Sequence, residues 1–357
     1  MMHYLGIDVS KDKPDICRLK DPARLKIKTK VLPNTPKGLQ QLQQWPDKNL
    51  PDCPKQRHIC MEATGIYHEA AAYFLHDCGY RVSVINPAHS RDFAKASGSV
   101  HKTDKADSMV LARYGAALQP AAWQPEAPEV RQLKALIARI EALQTDLQRE
   151  QNRLEKALIV RTPLEVEQSI KQMIAYLNEE IARLQGQRDD HIDRHPQLKQ
   201  DIKLLRTIPG IGMQTAVRIC ALYRSRNFTS AAQMAAFVGL VPKMHESGQQ
   251  RGRVMLSKKG SAVLRAALYL PAVVSKKYNP DIAAQYARLL QRQKTPMQAL
   301  GAAMRKLVHI CFGVLKHQTV YQSRQLEISA TGGLTGKMVS TLTDHNVLHR
   351  QQVHLQR

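Results

Sequence analysis

Four carboxylates stand where carboxylates are either costly or deliberate. Asp8 lies inside the apolar run Tyr4-Leu5-Gly6-Ile7-Asp8-Val9, and Glu62 closes the run His58-Ile59-Cys60-Met61-Glu62 just before Ala63-Thr64-Gly65. Asp104 and Asp107 stand three apart in His101-Lys102-Thr103-Asp104-Lys105-Ala106-Asp107. A charge in a buried strand is unfavourable unless it is paired or bound to a cation. If Ser108 to Leu118 continues as a helix, Asp104 and Asp107 project from one face of its first turn, close enough to share a metal ion. An acid at a helix start also caps free N–H groups and complements the dipole, and for this pair alone the two roles compete. Gathered together, four acids repel one another; the grouping makes sense around one or two Mg²⁺ or Mn²⁺ ions, for which carboxylate oxygens are the natural ligands. Two such ions about 4 Å apart activate an attacking oxygen and stabilise the leaving oxygen of a phosphodiester.

A second chemical stretch is basic. From Lys243 to Arg265 there are six Lys or Arg residues (Lys243, Arg251, Arg253, Lys258, Lys259, Arg265) against a single acid, Glu246. Such a loop suits a phosphodiester, and Ser247 sits at its tip, followed by Gly248. His245 is near enough in sequence to be considered as a base for Ser247, but sequence gives it no defined geometry. Earlier, Leu205-Arg206-Thr207-Ile208-Pro209-Gly210-Ile211-Gly212 precedes an apolar helix over 213–222. It reads either as a helix-hairpin-helix turn, whose Gly210 and Gly212 let backbone N–H groups approach a phosphate, or as a plain Gly-rich turn between packed helices.

The elements that must position these residues follow from periodicity. Strands are expected over 4–9, 15–19 and 25–32, a helix over 37–45, a strand over 58–62, a helix over 68–77 and a strand over 81–85 closed by Asn86-Pro87. The 88–100 stretch has no clear period, and the Asp104 helix follows. The order β-β-β-α-β-α-β-α suggests an antiparallel meander entering an α/β sheet. Gln119 to Pro128, with three Pro and three Ala, reads as a linker. Val130, Leu133, Ile137, Ile140, Leu147, Leu154 and Leu158 then fall on coiled-coil steps, with Gln144 and Gln151 completing the seam. A second run, Ile170, Ile174, Leu177, Ile181 and Leu184, follows Pro163; the two runs make a helical hairpin, a dimerising pair or a long helix packed within a monomer. Helices are expected over 231–237, 261–269, 281–292 and 295–316. The division is therefore 1–118, a linker at 119–128, coiled-coil helices at 129–200, a mostly helical domain at 201–320 and a polar, loosely ordered tail at 321–357.

Composition narrows the partners. The chain of 357 residues carries 53 Lys plus Arg against 30 Asp plus Glu, a formal charge of +23. That excess calls for a polyanion, and nucleic acid fits better than a membrane because the most apolar segment, 262–274, is interrupted by Arg265 and Pro271. Lys102, Gly210, Gly212, Arg251, Arg253, Lys258 and Lys259 are the expected contacts to it. No charged-then-apolar leader opens the sequence, and six cysteines lack zinc or C-x-x-C spacing, so a reducing cytoplasmic setting is expected. Aromatic residues make up only 5%, which disfavours a stacking platform for single strands.

Taken in order, Gly6-Ile7-Asp8, Glu62-Ala63-Thr64-Gly65, Lys102-Thr103-Asp104-Lys105-Ala106-Asp107, Pro209-Gly210-Ile211-Gly212 and Glu246-Ser247-Gly248 resemble the DEDD transposases of insertion sequence family one hundred and ten, related to Piv-type DNA invertases. The resemblance spans roughly residues 3 to 320. It implies an N-terminal RuvC-like, ribonuclease-H-like domain with Asp8, Glu62, Asp104 and Asp107 as ligands of Mg²⁺ or Mn²⁺, and a C-terminal transposase domain whose catalytic serine is Ser247. It further implies recombination of double-stranded donor and target DNA, guidance by a structured bridge RNA, and dimers assembling to tetramers. Two departures are His101, where Asn is common, and Gln249-Gln250 in place of small serines; neither touches a proposed ligand or nucleophile. Two rivals remain: a metal-dependent RuvC-like nuclease or junction resolvase using water, with Ser247 structural, and a non-catalytic nucleic-acid-binding protein.

Overall fold

The computed structural model describes residues 2–323, apart from 22–25, 50–53, 64, 99–102, 244–245, 248–249, 252–254 and 258. The chain divides into two compact units, Met1–Pro125 and Glu126–Arg357.

In the first unit, β1 (His3–Val9), β2 (Pro14–Asp21) and β3 (Lys26–Val31) form an antiparallel meander. After α1 (Pro36–Asn49) the chain adds β4 (Arg57–Glu62), α2 (Glu69–Asp77), β5 (Arg81–Ile85), α3 (Pro87–Ala96) and α4 (Asp104–Leu118). The five-stranded sheet has the order β3-β2-β1-β4-β5, with β1, β4 and β5 parallel. Its two faces are covered by different helices, which explains why β4 is buried from Arg57 through Met61. Leu5, Ile7, Ile59 and Met61 pack on Leu39 and Leu42 of α1 and Leu75 of α2. The opposite face sets Cys60 and Ile85 against Leu111 and Tyr114 of α4 and Phe93 of α3.

Helix α3 occupies the stretch in which sequence shows no period. Only Ser90 of its residues is buried, so no apolar stripe is needed; its start is set by Pro87 in the first turn and by Asn86, whose side chain accepts from the Ala88 N–H at 2.9 Å. The expected linker is half docked: Trp123 donates its backbone N–H to Val82 at 2.7 Å and stacks edge-on against Tyr73, while the Ser83 hydroxyl donates to the Ala121 carbonyl at 2.7 Å. Residues 119–125 therefore belong with the sheet.

In the second unit, α5 (Pro128–Val160) and α6 (Leu164–Arg194) fold back on each other through Arg161, in the left-handed region at φ 54°. Of the readings left open by the sequence, the structure takes the intrachain hairpin. Its seam joins Ile140 and Leu143 to Leu177, Ile181 and Leu184, passing through Leu143 where strict heptad counting reaches Gln144. Gln144 is only partly buried, and the apolar Leu143 one position earlier takes its place in the seam. At the hairpin tip the apolar positions are not covered: Leu158, Ile159, Val160 and Leu164 are 52–75% exposed.

The chain continues through α7 (Pro196–Leu205), α8 (Met213–Arg224) and α9 (Ala231–Val238) into four two-residue strands, β6 (Pro242–Lys243), β7 (Glu246–Ser247), β8 (Gln250–Arg251) and β9 (Met255–Leu256). Strand β6 pairs with β9 and β7 with β8, both antiparallel. Four helices close the unit: α10 (Ala262–Ala267), α11 (Tyr269–Tyr278), α12 (Pro280–Gln291) and α13 (Pro296–His317). The expected helix over 261–269 is α10, and a further helix, α11, follows it; Pro271 is accommodated in the first turn of α11, where its missing N–H is no loss. Helix α13, capped by a Thr295–Gln298 capping box, buries Leu300, Leu307, Val308 and Cys311 in the same core as Ala216, Val217 and Cys220 of α8. Buried Asp201 ties α7 to α8 through Arg224 Nε (2.6 Å) and to Gln318 just after α13 through its amide (2.9 Å). The first residues of the expected tail are pinned, since the Tyr321 hydroxyl donates to Asp281 at 2.7 Å and its N–H to Thr207 Oγ1 at 2.9 Å. Among the described residues, no helix is long and apolar enough to cross a membrane.

Candidate metal-binding carboxylate face

The first unit brings its acids to one face of the sheet through two glycines. A Cβ built on Gly6 of β1 would lie 1.9 Å from the Ser108 carbonyl oxygen and 2.4 Å from the Ala112 nitrogen, so α4 lies directly on β1. On the helix side, a Cβ on Gly115 would lie 2.7 Å from Cys60 Sγ of β4. Gly6 and Cys60 therefore face α4. Side chains alternate along strands, so Asp8 and Glu62, each two residues further on, face the same way. Helix α4 starts at the same end: Thr103 Oγ1 accepts from the Ala106 N–H at 3.2 Å and fixes the first turn, from which Asp104 and Asp107 project.

The electrostatics reflect the proximity of these acids. Burial, then the carboxylates of Asp107, Glu62, Asp104 and Asp15, push the Asp8 carboxyl up to about 6. Asp15 is a fifth acid that sequence inspection passes over; it is buried and directly opposite Asp8 across the β1–β2 ladder. Glu62 is steadied by Ser90 of α3, whose hydroxyl donates to Glu62 Oε2 at 2.5 Å. Lys13, in the turn between β1 and β2, bridges Asp104 (2.9 Å) and Asp15 (3.3 Å) and holds the exposed Asp104 carboxyl below the usual carboxylate range. Among the described residues no three potential ligands converge on one point. The donor set nonetheless fits a hard divalent cation: the acids offer carboxylate oxygens, burial and the neighbouring carboxylates raise the Asp8 pKa, and the nearby Cys60 thiol is kept neutral by burial, with a pKa of about 12. Gly6, Gly115, Ser90 and Lys13 all escape the sequence reading. A glycine two residues before a strand acid and another inside a helix are the only signals for the first two.

In the second unit, Gly210 has φ 97° and a Cβ there would lie 2.0 Å from Ser275 Oγ, which donates to the Pro209 carbonyl at 3.0 Å. The space beside Gly210 is thus filled by α11. A Cβ on Gly212, at the start of α8, would meet nothing within 4 Å. Ser247 lies in β7, its backbone paired with Gln250, and Glu246 is opposite Arg251. The loop's far end is anchored: Gly260, at φ 152°, approaches the Phe237 carbonyl, and Arg265 Nη1 donates to the Val238 and Gly260 carbonyls at 3.1 and 3.2 Å. Lys259 is exposed, whereas Lys102, Arg253 and Lys258 lie outside the described residues.

A mixed five-stranded sheet whose acids gather beside the helix laid across it defines a ribonuclease-H-like DEDD domain, here followed by a largely helical unit. Residues 5–162 match a transposase family of the IS110 DEDD type, and residues 202–287 match the family described as transposase IS116/IS110/IS902. The chain belongs to the IS110 family of transposases and DNA invertases. It is 32% identical to the pilin gene-inverting protein of Moraxella bovis over 324 residues, covering 90% of this chain and 98% of that protein. It is 31% identical to the Moraxella lacunata protein of the same name over the same shares. Over 141 residues it is 26% identical to the transposase for insertion sequence element IS1111A of Coxiella burnetii, covering 38% of this chain and 39% of that one.

Proposed function

We propose that this protein is a cytoplasmic recombinase that cleaves and rejoins double-stranded donor and target DNA through a phosphoserine intermediate, guided by a structured RNA. The observation that carries the DNA-processing part is the common face of Asp8, Glu62, Asp104 and Asp107 in a chain of this family. Ser247 Oγ forms a bond to phosphorus as its proton leaves; the bond from phosphorus to one deoxyribose oxygen breaks, and that oxygen takes up a proton. Reversal by a hydroxyl end of the partner strand rejoins DNA with no nucleotide cofactor, because the ester retains the bond energy. Mg²⁺ or Mn²⁺ held by Asp8, Glu62, Asp104 and Asp107 supplies Lewis-acid stabilisation of negative oxygen when bound. Arg251 and Arg253 neutralise charge on the phosphoryl group, while Lys102, Gly210, Gly212, Lys258 and Lys259 hold nucleic-acid backbone. Guidance by RNA suits a chain with +23 charge and few aromatics, since backbone recognition then leaves sequence reading to base pairing. The uncovered apolar tip of the α5–α6 hairpin supports assembly into dimers and, from these, tetramers.

The test is recombination in vitro with guide RNA, donor and target DNA, read on denaturing gels for protein–DNA adducts. Ser247→Ala should form no adduct, and Asp8→Ala or EDTA should stop cleavage. An adduct persisting in Ser247→Ala overturns the serine assignment. Cleavage by the wild type without any adduct points instead to a resolvase using water.

A further inference from the structure

The second unit contains a cleft of about 730 Å³ that the proposed chemistry does not use. It opens where the start of α7 meets the end of α8 and the segment 226–229. Helices α7 and α8 are 10 and 12 residues long, so at about 1.5 Å per residue the cleft lies roughly 15 Å from the glycine turn at their other ends.

Its walls are chemically divided. His195, Arg224 and Arg226 bring imidazole and guanidinium groups; Tyr223 and Phe228 bring aromatic surface; Asn227 brings an amide with both donor and acceptor. Among the described residues Glu129 is the one acid on the lining, and its backbone carbonyl is engaged by His191 Nε2 at 2.9 Å. The walls are held in place before any ligand arrives. His195 packs at a tilt against the buried His191, 4.3 Å between ring centroids, and its Nδ1 bonds to the His191 carbonyl at 2.7 Å. Arg224 is fixed by buried Asp201 and by Gln197 Oε1 at 3.3 Å, and Phe228 packs edge-on against Phe237. Arg226 is exposed, with its guanidinium 4.4 Å from the Phe237 ring.

A preformed pocket in the usual small-ligand size range, with aromatic surface, cationic groups and the amides of Gln197 and Asn227, matches a nucleobase carrying a phosphate. An intact duplex does not enter such a pocket, because its bases are stacked and paired; only an unpaired nucleotide presents base and phosphate separately. We infer that this cleft receives a single unpaired nucleotide, with the phosphate at Arg226 and His195 and the base against Tyr223 and Phe228. The inference rests on the reading that the chain handles nucleic acid, and it names a site that reading leaves out. The ligand chemistry is the same whether the nucleotide belongs to an RNA bulge or to a DNA strand opened beside a cleavage site.

The test compares paired hairpins with hairpins carrying one unpaired 2-aminopurine nucleotide, in RNA and DNA versions, by fluorescence titration of the full-length protein. The unpaired hairpin of at least one version should bind at least roughly fivefold tighter than its paired counterpart, the lower end of what one stacked base contributes, with a change in 2-aminopurine emission. Arg226→Gln and Asn227→Ala, both at exposed positions, should abolish that preference and the emission change while leaving paired-hairpin affinity within about twofold. Lys259→Gln, outside the cleft, should weaken paired and unpaired binding alike. The version that shows the preference identifies the source. Equal wild-type affinity for paired and unpaired hairpins, or cleft variants that weaken both equally, overturns the inference. Failure to bind any hairpin overturns the nucleic-acid reading itself.

Discussion

A Cβ on Gly6 would sit 1.9 Å from the backbone oxygen of Ser108, so strand β1 and helix α4 touch backbone to backbone. That contact, one turn along α4 from Asp104 and one strand repeat before Asp8, sets the spacing of the candidate metal ligands.

Gly6→Ala should therefore act on fold and site together. The obstructing atoms are main chain and cannot rotate away, so stability should fall by roughly 3 kcal/mol, at the upper end of overpacking costs, with recombination lost as α4 shifts. Gly115→Ala meets Cys60 Sγ, which a second substitution removes. The Gly115→Ala/Cys60→Ala pair should be more stable in urea than Gly115→Ala alone, and an additive result would contradict the contact.

Asp8 gives a pH signature. Its carboxyl is raised from 3.8 to about 6, so it favours the folded state while protonated, and that contribution disappears as pH rises through about 6. In EDTA, Asp8→Asn should be more stable than the wild type at pH 8, with the difference closing by about pH 4. Adding Mg²⁺ at pH 8 should raise the urea midpoint of the wild type and leave Asp8→Asn unmoved. A wild type indifferent to Mg²⁺ would count against the metal site.

Ser90 holds Glu62 from α3. Removing that hydroxyl in Ser90→Ala should raise the Mg²⁺ concentration for half-maximal activity by roughly 10-fold, the low end for an outer partner of a metal ligand, with little change in the rate at saturating metal. A fall in the saturated rate alone would assign Ser90 elsewhere.

The hairpin tip exposes Ile159 and Val160 at 75% and 74%. Ile159→Asp with Val160→Asp should leave helicity intact and lower the oligomeric mass measured by light scattering. An unchanged mass would place self-association on another surface.

Sequence alone located the strand that carries Asp8, the one that ends in Glu62 and the helix start that carries Asp104 and Asp107, because period, capping and the anomaly of a charge in an apolar run are all local. It likewise identified most apolar positions of the α5–α6 hairpin, though not Leu143, since amphipathic spacing is written along the chain. It did not show α3, whose polar surface needs no stripe, nor α11. Only the tertiary structure decided that β1 and β4 turn their acids to one face, that Asp15 joins them from the antiparallel neighbour, and that Ser90 and Lys13 reach them from distant elements. The physical reason is that a carboxylate's neighbours across a sheet depend on strand order, register and the closeness of the covering helix. These depend in turn on Gly6 and Gly115, whose contribution is an absent side chain that no pattern of apolar and charged residues records.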